Sequence, residues 1–255
     1  TEKGLKVLML ERGRNIEHIK DYKDASKERW EFPHRGGREG RTQQMIKDYP
    51  VLKRDYPLNE TVLDYWVNEQ ESPYTEIKRF DWFRGYHVGG RSIMWGRQSY
   101  RWSEQDFEEN AKDGFGVDWP IRYKDIAPWY SYAEKFAGIS GSKEGLAVLP
   151  DGDFLPPMDM NIVEKDVAAR LKQYYKGTRH MFIGRVANIT EPKPEQGRVN
   201  CQYRNRCWRG CPFGAYFSTQ ASTLPAAMKT GNLTLRPFSI VTKILYNKDT
   251  KKATG

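Results

Sequence analysis

The sequence lacks any run of about eighteen apolar residues, so no segment reads as a membrane-spanning helix. It also lacks blocks of five like charges, RNP and helix-turn-helix patterns, and paired zinc-finger spacing. A net charge of +9 and a pI of about 9.3 would otherwise suggest nucleic acid. Dispersed as they are, the positive charges fit a di-anionic ligand, an acidic partner or a solvated surface better. No secretory leader is read at Thr1, but the start reads as internal, so this carries no information on targeting. Aliphatic material is scarce: 38% of the 255 residues are hydrophobic and the mean hydropathy is −0.82. Aromatic residues are not scarce. At 13%, with 8 Trp and 15 Tyr, they exclude a disordered chain and suggest loops packed on something else.

Cysteine is limited to three residues, all between Cys201 and Cys211. An odd, clustered set argues against a secreted disulfide framework and for a metal or cluster site. Pro212 directly follows the last thiol, as in loops that wrap an iron–sulfur cage. Zinc would need a fourth ligand, and His18, His34, His87 and His180 lack finger spacing. Three thiols without a fourth favour a three-iron cluster over tetrahedral zinc, with a purely structural role for the cysteines as the alternative.

The chain opens as the second half of a dinucleotide-binding βαβ unit would. Thr1–Gly4 resembles a helix tail closed by a left-handed glycine, and Leu5–Leu10 an apolar strand. Glu11 then stands where such a unit places the acid that accepts ribose hydroxyls. An edge strand ending in a charged residue is the plainer alternative. The G-x-G-x-x-G phosphate loop is expected upstream of Thr1. Gly36-Gly37-Arg38-Glu39-Gly40 does not follow a strand, and Gly138–Gly141 reads as a loop, so neither replaces it.

The segment from Phe80 to Arg97 holds Gly89-Gly90-Arg91-Ser92-Ile93-Met94-Trp95-Gly96. Adjacent glycines let backbone approach a ligand with no side chain between, although a hinged turn would read the same way. The segment resembles the Gly-Gly-x-Ser-x-x-(Asn or Trp)-Gly motif of the glucose–methanol–choline (GMC) oxidoreductases. Trp95 is similar to the sugar-dehydrogenase and pyranose-oxidase branch. Arg101–Phe107, Asp118-Trp-Pro-Ile121, Tyr123–Tyr130 and Ala133–Gly141 continue that resemblance in order, as do Phe217–Ala226 and the cysteine loop.

The resemblance implies an α/β fold with α+β elements: a Rossmann-like FAD-binding domain of GMC type with part of a substrate domain, truncated at both ends. Residues 1–20 and 80–145 would form the FAD-binding region and 21–79 an irregular insertion. Residues 146–200 would belong to the substrate domain, 201–225 to the cysteine loop and 226–255 to FAD-domain strands. A helix is expected over Asn161–Tyr174, and a strand pair from Thr230–Leu235 and Ile240–Leu245. Glu11, Arg12, Gly89, Gly90, Ser92, Met94, Trp95, Gly96 and Val241 are the expected FAD contacts. Some members of the branch carry a flavin-bonding His where Met94 stands; a thioether is a poor nucleophile, so non-covalent FAD is expected. His87 reads as an ordinary loop or core histidine.

By the same resemblance, Cys201, Cys207 and Cys211 would hold a [3Fe-4S] cluster relaying electrons to a cytochrome or other acceptor, and the partner would be a cytochrome or a small accessory subunit. The substrate would be a sugar or glycoside. The catalytic His is expected beyond Gly255, so no catalytic residue is assigned and the isolated piece is expected to be inactive. A periplasmic or partner-tethered location follows by analogy, with a cytoplasmic one left open. The alternatives are an oxygen-using sugar oxidase and a non-catalytic zinc- or nucleic-acid-binding module.

Overall fold

A computed structural model describes residues 1–37, 43–54 and 58–255. Arg38, Glu39 and Gly40 of the rejected phosphate-loop stretch, and Pro57 of the insertion, lie outside the described residues. In chain order the elements are β1 (Val7–Leu10), α1 (Gln43–Asp48), α2 (Glu104–Asp113), α3 (Tyr123–Ala137), α4 (Ile162–Tyr174), α5 (Thr223–Lys229), β2 (Leu233–Arg236), β3 (Tyr246–Asn247) and β4 (Lys252–Ala253). Short 3-10 turns link them, and the chain divides into two compact units. The first comprises Thr1–Trp95, Asn205–Pro212 and Ser218–Gly255; the second comprises Gly96–Arg204 and Phe213–Phe217. Residues 96–145 thus lie in the second unit, whereas 21–79 lie in the first.

In the first unit β1 pairs with β2 in parallel, Val7 opposite Leu233 and Leu10 opposite Arg236. The expected strand pair is therefore corrected: the partner of Leu233–Arg236 is β1, and Ile240–Leu245 is not a strand. Pro237 and Phe238, which has φ of 52°, break the extended run. The chain then crosses the end of β1, with Phe238 N–H donating to Gly13 O at 2.9 Å and Ser239 N–H to Glu11 O at 2.8 Å. Thr1–Gly4 is a turn rather than a helix tail, although Gly4 is left-handed at φ of 81°. The polar turn after Asn247 closes the short antiparallel pair β3–β4.

The core of this unit is built largely from the insertion. Tyr22, Ala25, Leu52, Leu58, Val62, Tyr65 and Trp66 pack with Ile16 and with Ile93 and Met94 of the Gly-Gly segment. At roughly 1.5–3 kcal/mol for each fully buried large apolar side chain, this cluster is the main apolar support of that segment.

The second unit starts its helices with side-chain caps. The Asp106 carboxylate accepts Ser103 N–H at 2.6 Å ahead of α2. Asn161 Oδ1 accepts Glu164 N–H at 3.0 Å while Glu164 Oε2 accepts Asn161 N–H at 2.8 Å, a reciprocal cap for α4. Gly114 and Gly138 end α2 and α3 in the left-handed conformation. Few aliphatic side chains are buried here, and arginines bind the loops instead. Arg101 meets Glu134 through Nε at 2.8 Å and Nη2 at 2.6 Å, and also donates to Tyr123 Oη and Ser131 Oγ. Glu134 Oε2 accepts Asp153 N–H as well, at 3.0 Å. Arg185 donates to the carbonyls of Ser142 and Pro150 and pairs with Asp151 at 2.7 Å. Arg198 donates to the carbonyls of Ala137 and Gly214.

A buried pair broken on one side leaves the other charge stranded. Glu134→Ala is therefore expected to cost about 3–5 kcal/mol, read as a lower urea midpoint. The exposed pair Lys112–Glu108 supplies the control: Lys112→Ala should stay within about 0.5 kcal/mol. Equal shifts in the two variants would remove Arg101–Glu134 from this role.

Candidate cofactor site

The carboxyl end of β1 is gripped on both sides. On one side lies the Pro237–Ser239 crossing described above. On the other, Arg14 bridges His87 in parallel, and Val88 N–H donates to Arg14 O at 2.9 Å. Between them Gly13 approaches the 86–87 backbone so closely that a Cβ would stand 1.8 Å from the carbonyl oxygen of Tyr86. Only glycine fits there. Gly13 N–H donates to Glu11 Oε1 at 2.8 Å, which fixes the carboxylate while Oε2 makes no hydrogen bond among the described residues. Arg12 lies over the Tyr86 ring, 3.7 Å from its centroid.

The Gly-Gly segment is shaped by two different demands. Gly89, the left-handed residue ahead of the 3-10 turn Gly90–Ile93, has φ of 83°. A Cβ on it would lie 2.2 Å from the Gln220 side chain. Gly90 has φ of 49°, and a Cβ there would meet nothing closer than Gly85 O at 3.9 Å. Its backbone therefore presents a bare surface to open space, a cradle that any larger residue would begin to fill. Ser92 Oγ accepts Thr219 N–H at 3.0 Å, tying in the segment before α5. Gln220 is buried and donates from Nε2 to Val88 O, while its Oε1 has no partner among the described residues.

The expected site residues are distributed as follows. Glu11, Arg12, Gly89, Gly90, Ser92, Met94, Trp95 and Val241 belong to the first unit, and Gly96 opens the second. Met94 is buried in the apolar core with Ile93. Val241 is 60% exposed and lies in no strand. Two residues absent from the sequence-based set, Tyr86 and Gln220, pack directly against the glycines. Gln220 lies within the Phe217–Ala226 stretch whose resemblance had been noted, so the signal was present without a role attached to it.

His87 is fully buried. Its Nδ1 lies 3.0 Å from Val88 O and its Nε2 3.2 Å from Tyr65 O. A neutral imidazole donates from only one nitrogen, so one of these carbonyls faces a lone pair. Burial holds the His87 pKa below its ordinary value, outweighing the two carbonyls that pull it up.

Cys201 belongs to the second unit, where its Sγ accepts Tyr203 N–H at 3.5 Å; Cys207 and Cys211 belong to the first. The loop carrying the latter two is bound by the insertion: Tyr65 Oη donates to Arg209 O at 3.1 Å, Arg206 to Ser26 O at 3.0 Å and Arg209 to Lys27 O at 2.9 Å. None of the three thiols forms a disulfide. Among the described residues no group of three or more His, Cys, Asp or Glu side chains converges as a metal site. The three-iron cluster expected from the spacing finds no support in this arrangement, and no electron-transfer step is derived through it.

Residues 71–255 match the family model described as GMC oxidoreductase. The chain belongs to the GMC oxidoreductase family. Among its relatives is the fructose dehydrogenase large subunit of Gluconobacter japonicus, 26% identical over 131 residues, which are 51% of this chain and 24% of that protein. A 2-methyl-1,2-propanediol dehydrogenase of Mycolicibacterium austroafricanum is 26% identical over 209 residues, 80% of this chain and 33% of that one. A paromamine 6'-oxidase of Streptomyces fradiae is 27% identical over 173 residues, 66% and 30% of the two chains. This GMC chain thus spans about a quarter to a third of the length of the curated relatives it matches. Membership displaces the zinc- or nucleic-acid-module reading. Among the described residues no helix is long and apolar enough to cross a membrane.

Two outcomes follow from the packing. Gly13→Ala must push the Tyr86 carbonyl away, at about 1–3 kcal/mol of overpacking, measurable as a lower melting temperature. His87 has a folded-state pKa below its unfolded value of about 6.5, so the folded state resists protonation. Its contribution to stability is complete above about pH 6.5 and declines as pH falls toward the folded pKa. Urea midpoints at about pH 7 and pH 5 should differ for this reason, and His87→Gln should flatten that difference. An unchanged slope in the variant would exclude His87 as its source.

Proposed function

We propose that this chain supplies the FAD-binding part of an oxidoreductase that oxidises a CH–OH group of a sugar, glycoside or related alcohol. The observation that carries the reading is Glu11, fixed by Gly13 at the carboxyl end of a parallel strand pair, in the same unit as the bare Gly90 backbone. Ligands of open α/β sheets lie at strand carboxyl ends, which is where this acid stands. Family membership and three oxidoreductase relatives support it further.

The residues present suit the cofactor. Glu11 Oε2 would accept a ribose hydroxyl. Gly89 and Gly90 would offer backbone to the flavin nucleotide, and Ser92 keeps its O–H proton to donate, since its oxygen is the acceptor for Thr219. Arg12, Met94, Trp95, Gly96 and Val241 complete the proposed set, with Met94 acting as buried support rather than as a covalent anchor. FAD when bound supplies the acceptor for a hydride leaving the alcohol carbon. The protein's share is to hold and orient that acceptor. No residue of this chain is assigned as the base.

Sugar-type substrates and an accessory subunit are proposed for this protein by analogy with the fructose dehydrogenase large subunit. The oxidase reading also has support, from the paromamine oxidase relative. Oxygen uptake against reduction of an artificial acceptor separates the two.

The full-length protein should show flavin absorbance near about 450 nm and release that flavin to the supernatant on acid precipitation. A colourless protein would overturn the cofactor reading; flavin retained in the pellet would overturn non-covalent binding. Gly90→Ala tests the cradle. The variant carries about 1–2 kcal/mol of left-handed strain, so the fold should survive while flavin content drops well below that of the parent.

A further inference from the structure

The insertion encloses a cleft that the flavin reading does not use. Its volume is about 270 Å³, and all its lining residues fall between Pro50 and Arg79, inside the first unit. That size is just below the roughly 300–1,000 Å³ of drug-sized sites, and so suits a smaller molecule.

Glu69 stands in the wall with its side chain only 8% exposed. Its Oε1 forms a buried ion pair with Arg84 Nη2 at 3.6 Å, too long for a hydrogen bond, and its Oε2 has no donor among the described residues. Arg84 is held elsewhere: Nη1 donates to Tyr86 Oη and Nη2 to Ser72 O, each at 2.8 Å. The Tyr74 and Trp82 rings flank its guanidinium, each centroid 4.9 Å away. The chain therefore leaves a buried carboxyl oxygen unserved, which native structures avoid unless a water or ligand completes it. Oε2 is itself shielded, so a ligand would reach it only through a turn of the carboxylate about its soft terminal torsion.

The charge pattern narrows what could complete it. Lys53 and Arg79 balance Glu69 and Glu76 around the lining, so no net field selects an ion. Glu76 is already engaged, with Arg79 at 2.8 Å and Tyr74 Oη at 3.0 Å. Burial raises the Glu69 pKa, so the group stands closer to its neutral form than an ordinary carboxylate. A hydroxyl serves either form, because it both donates and accepts. Val51, Pro73 and the Tyr74 ring supply apolar wall for C–H surface.

We propose that this cleft binds a neutral, hydroxyl-rich ring of monosaccharide size, with a ligand hydroxyl donating to the unserved oxygen of Glu69. The site is separate from the proposed flavin contacts, and its test uses neither flavin content nor turnover. Amide exchange of the full-length protein is followed by mass spectrometry with D-glucose at about 100 mM. A site with a Kd of roughly 10 mM would then be about nine-tenths filled, and openings linked to it slowed about tenfold. The expected result is protection confined to peptides covering residues 48–54 and 69–79. Pro73 is exposed, so Pro73→Trp can block the mouth without disturbing the core; an unchanged melting temperature verifies this, and the protection should vanish. Absence of protection in the parent overturns the proposal, as does protection that survives Pro73→Trp. Protonated glucosamine protecting more than about tenfold better than glucose would assign the cleft to cations and overturn the neutral class.

Discussion

Everything proposed for the nucleotide end of this protein depends on one missing methyl group. Gly13 lets the strand-end turn lie against the Tyr86 carbonyl, where any other residue would place a Cβ 1.8 Å from its oxygen. That approach brings Gly13 N–H onto Glu11 and seats Arg12 on the Tyr86 ring. It also lets Arg14 bridge His87, two residues before the Gly89–Gly90 pair. The proposed ribose acceptor and a bare backbone loop, more than seventy residues apart in sequence, are linked through a contact made only of backbone. Backbone has little freedom to repack, so the spacing between them is set by steric exclusion rather than by tunable side-chain packing.

The insertion is the second layer of this constraint. Its Leu52, Leu58, Val62, Tyr65 and Trp66 bury Ile93 and Met94, and Tyr65 also offers its carbonyl to His87 and its hydroxyl to Arg209. One residue thus touches the apolar core, the Gly-Gly segment and the cysteine loop. Whatever binds the cleft beside Glu69 would act on an element that already supports the proposed flavin loop, because Val51 and Leu52 share one 3-10 turn.

Much of the local plan was legible in the residues. The apolar strand ending before Glu11 and the helix reaching Tyr174 depend on neighbours within a few positions, and they appear where expected. What could not be read depends on distant partners. The insertion looked irregular because its apolar residues follow no helical or strand period; they converge only through contacts with segments far along the chain. Ile240–Leu245 alternated well enough for a strand, yet Phe238 in a left-handed turn commits the backbone to the end of β1. The cysteine spacing suggested a single cage, whereas the fold assigns Cys201 to one compact unit and Cys207 and Cys211 to the other.

The composition takes on a different meaning once the arginines are placed. A low mean hydropathy and an excess of nine positive charges suggested surface and solvent. Arg84, Arg101, Arg185 and Arg198 are instead among the most buried side chains. Each presents a fork of donors that can satisfy several loop carbonyls at once, which an aliphatic residue cannot do. A loop-rich chain carries many carbonyls without a ladder partner, and every one that is buried needs a donor. Arginine meets that need and fills volume with its methylene stem, so part of the basic balance is a consequence of having few strands. In this fold a positive charge count measures loop closure as much as it measures affinity for an anionic partner.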